Sequence, residues 1–130
     1  MTILGLDPGT RKCGYAVVTG IDAPPLALGI IGIETLAERL REVVAATPVA
    51  LAAIGRGTNA AAVAEVVRSL GVAVELVDER ETSLLARARF FRDHPPRGWR
   101  RIVPRGMLLP NRPIDDYAAL LIAERFLKAS

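Results

Sequence analysis

Three short apolar runs follow one another at the start of the chain, and only after them does helical spacing appear. Thr2 to Asp7 ends at Asp-Pro-Gly-Thr, Gly14 to Thr19 is the second run and Leu26 to Glu34 the third. The links between them are short and contain Gly9, Gly20, Pro24 and Pro25, which suits consecutive antiparallel strands. From Thr35 to Ala46 the apolar positions Leu36, Leu40, Val43 and Val44 alternate with Glu38, Arg39, Arg41 and Glu42 at helical spacing. Thr35 stands as the cap and Glu38 at the capping-box position. Val49 to Ile54 is a continuous apolar run, as expected of a strand covered on both faces. An Ala-rich helix from Ala60 to Leu70, stopped by Gly71, leads to a further strand from Val72 to Val77. Thr82 then caps a helix from Ser83 to about Arg92, and a last helix runs from Asp115 or Asp116 to about Lys128. The order predicts an α/β fold: a mixed five-stranded sheet, three antiparallel strands then crossover units, with helices on both faces. Residues 93 to 113 hold five prolines and read as a long loop, a length that signals either function or a misread element.

A length of 130 residues is that of one domain and leaves no room for two domains closing on a ligand. With 51% apolar residues and only 5% aromatic, the core must be built from Ala, Val, Leu and Ile, and disorder is excluded. The uncharged stretch from Val43 to Gly55 has 13 residues and includes Pro48, whereas a membrane helix needs about 20. No membrane association is expected. The N-terminus has no basic segment and meets Asp7 early, unlike a secretion signal. The single cysteine, Cys13, cannot form an internal disulfide, reads as a small buried residue, and points to a reducing cytoplasm.

The net charge of +3 conceals a division. Residues 1 to 79 carry six Lys or Arg against nine Asp or Glu, and residues 80 to 130 carry eleven against five. Between Arg87 and Arg112 stand eight arginines (87, 89, 92, 97, 100, 101, 105 and 112) and one acid, Asp93. Arginine rather than lysine throughout suits bidentate phosphate contact and a nucleic-acid partner. Trp99, among Arg97, Arg100 and Arg101, would stack on a base or pack on the loop itself. His94 has no His or Cys partner for zinc.

In open sheets with crossover units, sites form at the carboxyl ends of strands. Asp7 closes the first strand, Asp78 and Glu79 follow the last, and Asp115 with Asp116 opens the final helix. Taken singly, these are a turn former, solvated strand-end charges and a helix cap. Brought to one edge they would repel unless a cation lay between them, which suits Mg²⁺ or Mn²⁺ with oxygen ligands. On a helical wheel both aspartates flank the apolar stripe of Ala119, Leu120, Ile122, Ala123, Phe126 and Leu127, with Tyr117, Glu124 and Lys128 opposite. The segment Gly55-Arg56-Gly57-Thr58-Asn59 is either a plain tight turn or a turn whose amides hold a phosphate.

The segments Ile-Leu-Gly-Leu-Asp-Pro-Gly-Thr-Arg-Lys-Cys-Gly-Tyr-Ala-Val-Val (3 to 18), Val-Asp-Glu-Arg-Glu-Thr-Ser (77 to 83) and Ile-Asp-Asp-Tyr-Ala-Ala-Leu-Leu-Ile-Ala (114 to 123) resemble, in order, three signature segments of the YqgF/RuvX family. These are RuvC-like Holliday junction resolvases and ribosomal RNA processing nucleases. Asp-Pro-Gly at 7 to 9 is closer to the RuvC branch. The resemblance implies one ribonuclease H-like domain over 1 to 130 and a metal-dependent nuclease acting on branched DNA, structured RNA or both. It puts the metal-holding acids on Asp7, Glu79 and Asp115, and Asp116, an extra acid beside them, is expected to help hold the metal and to share in catalysis. Arg11, Arg56, Thr58, Asn59, Arg80, Arg87, Arg97, Arg100, Arg101, Arg105 and Arg112 are then expected to hold nucleic acid. A junction cutter needs two active sites and is expected to be a homodimer. Two other functions are weighed against this one. A ribonuclease H-like module that binds without cutting would lose the role of the acids, and an ATPase using Asp-Pro-Gly-Thr as its phosphate turn would need a second domain.

Overall fold

The computed structural model describes residues 1–78, 82–95 and 113–129, with side chains from residue 85 onward in the second segment. Its elements are β1 (Ile3–Pro8), β2 (Lys12–Val18), β3 (Ala27–Gly32), a 3₁₀ turn (Ile33–Thr35), α1 (Leu36–Ala46), β4 (Leu51–Gly55), α2 (Ala60–Ser69), β5 (Val74–Val77), α3 (Thr82–Asp93) and α4 (Asp115–Ala129). The strands form one sheet in the order β3-β2-β1-β4-β5. β1 and β3 pair antiparallel with β2, and β4 lies parallel to both β1 and β5. The expected α/β architecture is therefore present, with boundaries shifted by a few residues. The third strand stops earlier than expected, at Gly32, where the 3₁₀ turn begins.

Alternation along the strands divides the core into two layers. Leu4, Leu6, Cys13, Val17, Ile31, Ala52 and Ile54 face α1 and α2, burying Leu36, Leu40, Val63 and Val67. Ile3, Ala16, Val18, Ala53 and Val77 face α3 and α4, burying Phe90, Phe91, Leu120 and Ile122. β4 thus sends alternate side chains to both layers, as its unbroken apolar run implies.

α4 lies against β1 and β2, and two glycines let it approach. A Cβ on Gly5 would strike the carbonyl oxygen of Ala119, and one on Gly14 would strike the backbone of Asp115. Gly14→Ala is accordingly expected to cost about 1–3 kcal/mol of stability, readable as a lower denaturation midpoint, because backbone cannot yield as a flexible side chain can.

Two local expectations fail. Thr35 makes no side-chain cap for α1, and its hydroxyl donates instead to the Gly32 carbonyl at 3.3 Å. The one-sided wheel for the last helix is also too simple. Tyr117 and Glu124 are buried at 3% exposure, while Phe126 and Leu127 are only partly buried, because α3 covers the side of α4 that the sheet does not. Among the described residues, no helix is long and apolar enough to cross a membrane.

Candidate active site

β1 and β4 are parallel, so their carboxyl ends share one edge of the sheet. Asp7, half-buried, is the next-to-last residue of β1, and the chain returns through a tight turn closed by the Gly9 amide donating to the Lys12 carbonyl at 2.9 Å. The β1–β2 register pairs Asp7 with Gly14. Since the Asp115 backbone rests on Gly14, α4 starts directly over the strand pair that carries Asp7. In this way Asp7 and Asp115, about a hundred residues apart in sequence, become neighbours.

The two aspartates of α4 are not equivalent. Asp116 is 5% exposed, and its Oδ1 accepts the Tyr117 amide at 2.9 Å. Asp115 is half-buried; its Oδ2 is buried and accepts no hydrogen bond among the described residues. Lys12 forms an ion pair with it, its Nζ standing 3.3 Å from that oxygen. No sequence motif singles out Lys12, since only the strand register shows that it belongs to this edge.

Cys13 reports on the same cluster. Burial pushes its thiol up to about 12, the Asp7 carboxylate adds to the rise, a hydrogen bond with the Asp7 backbone opposes it, and Asp115 adds a smaller upward push. The expectation of a buried cysteine holds at 0% exposure. With a folded value above the ordinary 9, the stability tied to this thiol is whole below about pH 9 and lost as pH rises toward 12. Wild type should therefore lose stability relative to Cys13→Ala above pH 9, by up to about 1.4 kcal/mol per pH unit, in denaturation midpoints taken from pH 8 to 10.5.

The Gly55 to Asn59 segment is a turn held by its own backbone: Gly57 donates to Gly55 at 2.9 Å and Ala60 to Gly57 at 3.1 Å. Asn59 takes a left-handed conformation (φ 65°), and its side-chain amide donates to the Gly9 carbonyl at 2.9 Å, tying the start of α2 to the turn after Asp7. Arg56, Thr58 and Asn59 are exposed. Arg56 lines an open cleft of about 510 Å³ with Arg68 and Leu76, and Arg11 lines another of about 680 Å³ with Thr10, Glu34 and Thr35.

The arginine run divides. Arg89 is 8% exposed, and its guanidinium meets both carboxylate oxygens of Glu124 at 3.0 and 3.2 Å. Arg92 donates to Asp22 at 3.0 Å, a hydrogen bond that holds the Asp22 carboxyl below its usual range. These two arginines are matched by acids distant in sequence, so the count of eight against one overstates the free positive charge. Arg87 is half-buried, and its Nε has no hydrogen-bond partner among the described residues. His94 stacks on Phe90 with ring centroids 4.7 Å apart, and the Tyr117 hydroxyl donates to Asp93 at 2.9 Å. Glu79, Arg80, Arg97, Trp99, Arg100, Arg101, Arg105 and Arg112 lie outside the described residues. Among the described residues no group of three or more His, Cys, Asp or Glu is placed to hold a metal.

Two curated relatives, both crossover junction endodeoxyribonuclease RuvC, match over short stretches. That of Aliarcobacter butzleri is 49% identical over 47 residues, covering 33% of this chain and 30% of the relative. That of Helicobacter pylori is 44% identical over 50 residues, covering 35% and 32%. The chain thus spans about a third of the length of the curated relatives it matches. Among solved structures, Thermus thermophilus RuvC superposes with a TM-score of 0.61 at 17% identity, over 96% of this chain and 92% of that one. The same protein in complex with a Holliday junction substrate gives 0.60 at 17% identity, over 100% and 97%. That likeness shows the fold, the ribonuclease H-like sheet expected from the sequence. The family model for crossover junction endodeoxyribonuclease RuvC matches residues 3–85, a span that takes in β1 to β5 and the start of α3. By this match the chain belongs to the RuvC family.

Proposed function

We propose that the chain is a single ribonuclease H-like domain that hydrolyses phosphodiester bonds in branched DNA with the help of a divalent cation. One observation carries the reading: Asp115 is seated on the strand partner of Asp7, with a buried carboxylate oxygen that accepts no hydrogen bond among the described residues. An all-carboxylate donor set with one oxygen unsatisfied fits a hard divalent cation. Asp7 and Asp115 would hold Mg²⁺ or Mn²⁺ together with Glu79, while Asp116 shapes the turn that presents Asp115. The chemistry such an ion supplies is activation of water and neutralisation of charge on the leaving oxygen.

The remaining work belongs to the protein. Arg80, Arg87, Arg97, Arg100, Arg101, Arg105 and Arg112 would grip the phosphate backbone, and Arg11, Arg56, Thr58 and Asn59 would frame the strand near Asp7. Arg89 and Arg92 are left out of this grip because each already has an acidic partner. Symmetric cutting of a four-way junction requires two such sites, so we infer a homodimer on DNA. A reducing cytoplasm suits the single buried thiol.

The test is cleavage of labelled four-way junction, flap, single-stranded DNA and structured RNA side by side in Mg²⁺, Mn²⁺ and EDTA. Junction cleavage that needs the metal is expected. Salt-sensitive binding with no cleavage of any substrate would instead identify a binding module and overturn the reading.

A further inference from the structure

Lys12 has no part in the reading above, yet it stands at the same edge. On β2, Gly14 takes its place under Asp115 on the α4 side of the sheet, and Lys12, two residues away, shares that face by strand alternation. Asp7 pairs with Gly14 across the β1–β2 ladder. The Lys12 ammonium thus reaches Asp115 Oδ2 at 3.3 Å, while that oxygen is buried without a hydrogen bond among the described residues. The contact is an ion pair lacking hydrogen-bond geometry: it neutralises the oxygen but leaves its lone pairs open. The lysine side chain is 46% exposed and that of Asp115 34%, so the ammonium can withdraw into water without unfolding anything.

We propose that Lys12 is a resident counter-cation of this site, occupying Asp115 in the metal-free protein and yielding it to the divalent ion. The inference rests on the carboxylate metal site proposed above. Carboxylates gathered at one edge repel each other, and a tethered positive charge relieves that repulsion before any metal arrives. A divalent cation offers twice the charge at shorter range and must displace the ammonium, so Lys12 sets a threshold for metal loading. It is a positioning residue, acting through Asp115.

The test is Mn²⁺ binding to the full chain at fixed ionic strength, read from the electron paramagnetic resonance signal of the free ion, with no substrate present. Wild type is compared with Lys12→Met, Lys12→Gln, Lys12→Arg and Asp7→Asn. Neutral replacements at 12 are expected to bind Mn²⁺ about three- to fivefold more tightly, in line with the upper end of what a partly exposed ion pair contributes. They should also gain more in melting temperature on adding Mn²⁺ than wild type does, and Lys12→Arg should stay within about twofold of wild type. A lysine that merely braced the site would give the opposite sign. Unchanged or weaker Mn²⁺ binding in both neutral variants, with Asp7→Asn still impaired, overturns the inference and leaves the metal site standing. Equal Mn²⁺ binding by wild type and Asp7→Asn overturns the metal site and this inference together.

Discussion

Replacing Glu124 by Ala is expected to lower the unfolding free energy by about 3–5 kcal/mol, the usual cost of leaving one member of a buried ion pair alone. Both oxygens of Glu124 meet the guanidinium of Arg89, and Oε2 also accepts the Asp22 amide at 3.1 Å. With Glu124 gone, a cation at 8% exposure would retain, among the described residues, only Asp22, whose side chain is 68% exposed and stands 3.5 Å away. Chemical denaturation reads the loss. The double replacement of Arg89 by Met and Glu124 by Leu should recover most of it, since an apolar pair of similar volume needs no desolvated charge. If the double variant is as unstable as Glu124→Ala, the penalty does not come from a stranded charge. The pair joins α3 to α4, and Asp22 brings in the β2–β3 link, so the network sets where α3 lies.

The second large effect is on chemistry. Asp7→Asn keeps the size and shape of the side chain but removes its charge, and junction cleavage in Mn²⁺ should fall by about 10²–10³-fold, as when one preorganised electrostatic contact is removed from an active site. Asp115→Asn should fall comparably. Asp116→Asn should lose less, because Asp116 is already engaged with the Tyr117 amide. An Asp7→Asn protein that is folded by circular dichroism and cuts as fast as wild type would remove Asp7 from the site.

Much of this was legible in the chain before any coordinates. Three apolar runs with short links could only become adjacent antiparallel strands, and the later alternation of strand and helix forced parallel crossovers, because strand and helix periods are local properties. Asp7 was readable for the same reason: it ends a run. What could not be read was partnership. Arg89 and Arg92 read as free cations in the sequence because their partners, Glu124 and Asp22, lie 35 and 70 residues away along the chain. Tyr117 and Glu124 looked solvent-facing because a wheel assumes one buried side, whereas α4 is buried against both the sheet and α3. The Thr35 cap failed because its hydroxyl found the Gly32 carbonyl first.

Local patterning, then, was enough to specify the elements, their order and the strand-end acids, since each depends on residues a few positions apart. The juxtaposition of Asp7, Lys12 and Asp115 needed the folded chain. It arises where α4 descends onto Gly14, a contact that depends on the absence of a side chain on a strand distant in sequence and on the register pairing Gly14 with Asp7. No local period encodes the depth at which a helix seats on a sheet; the space left by its glycines does.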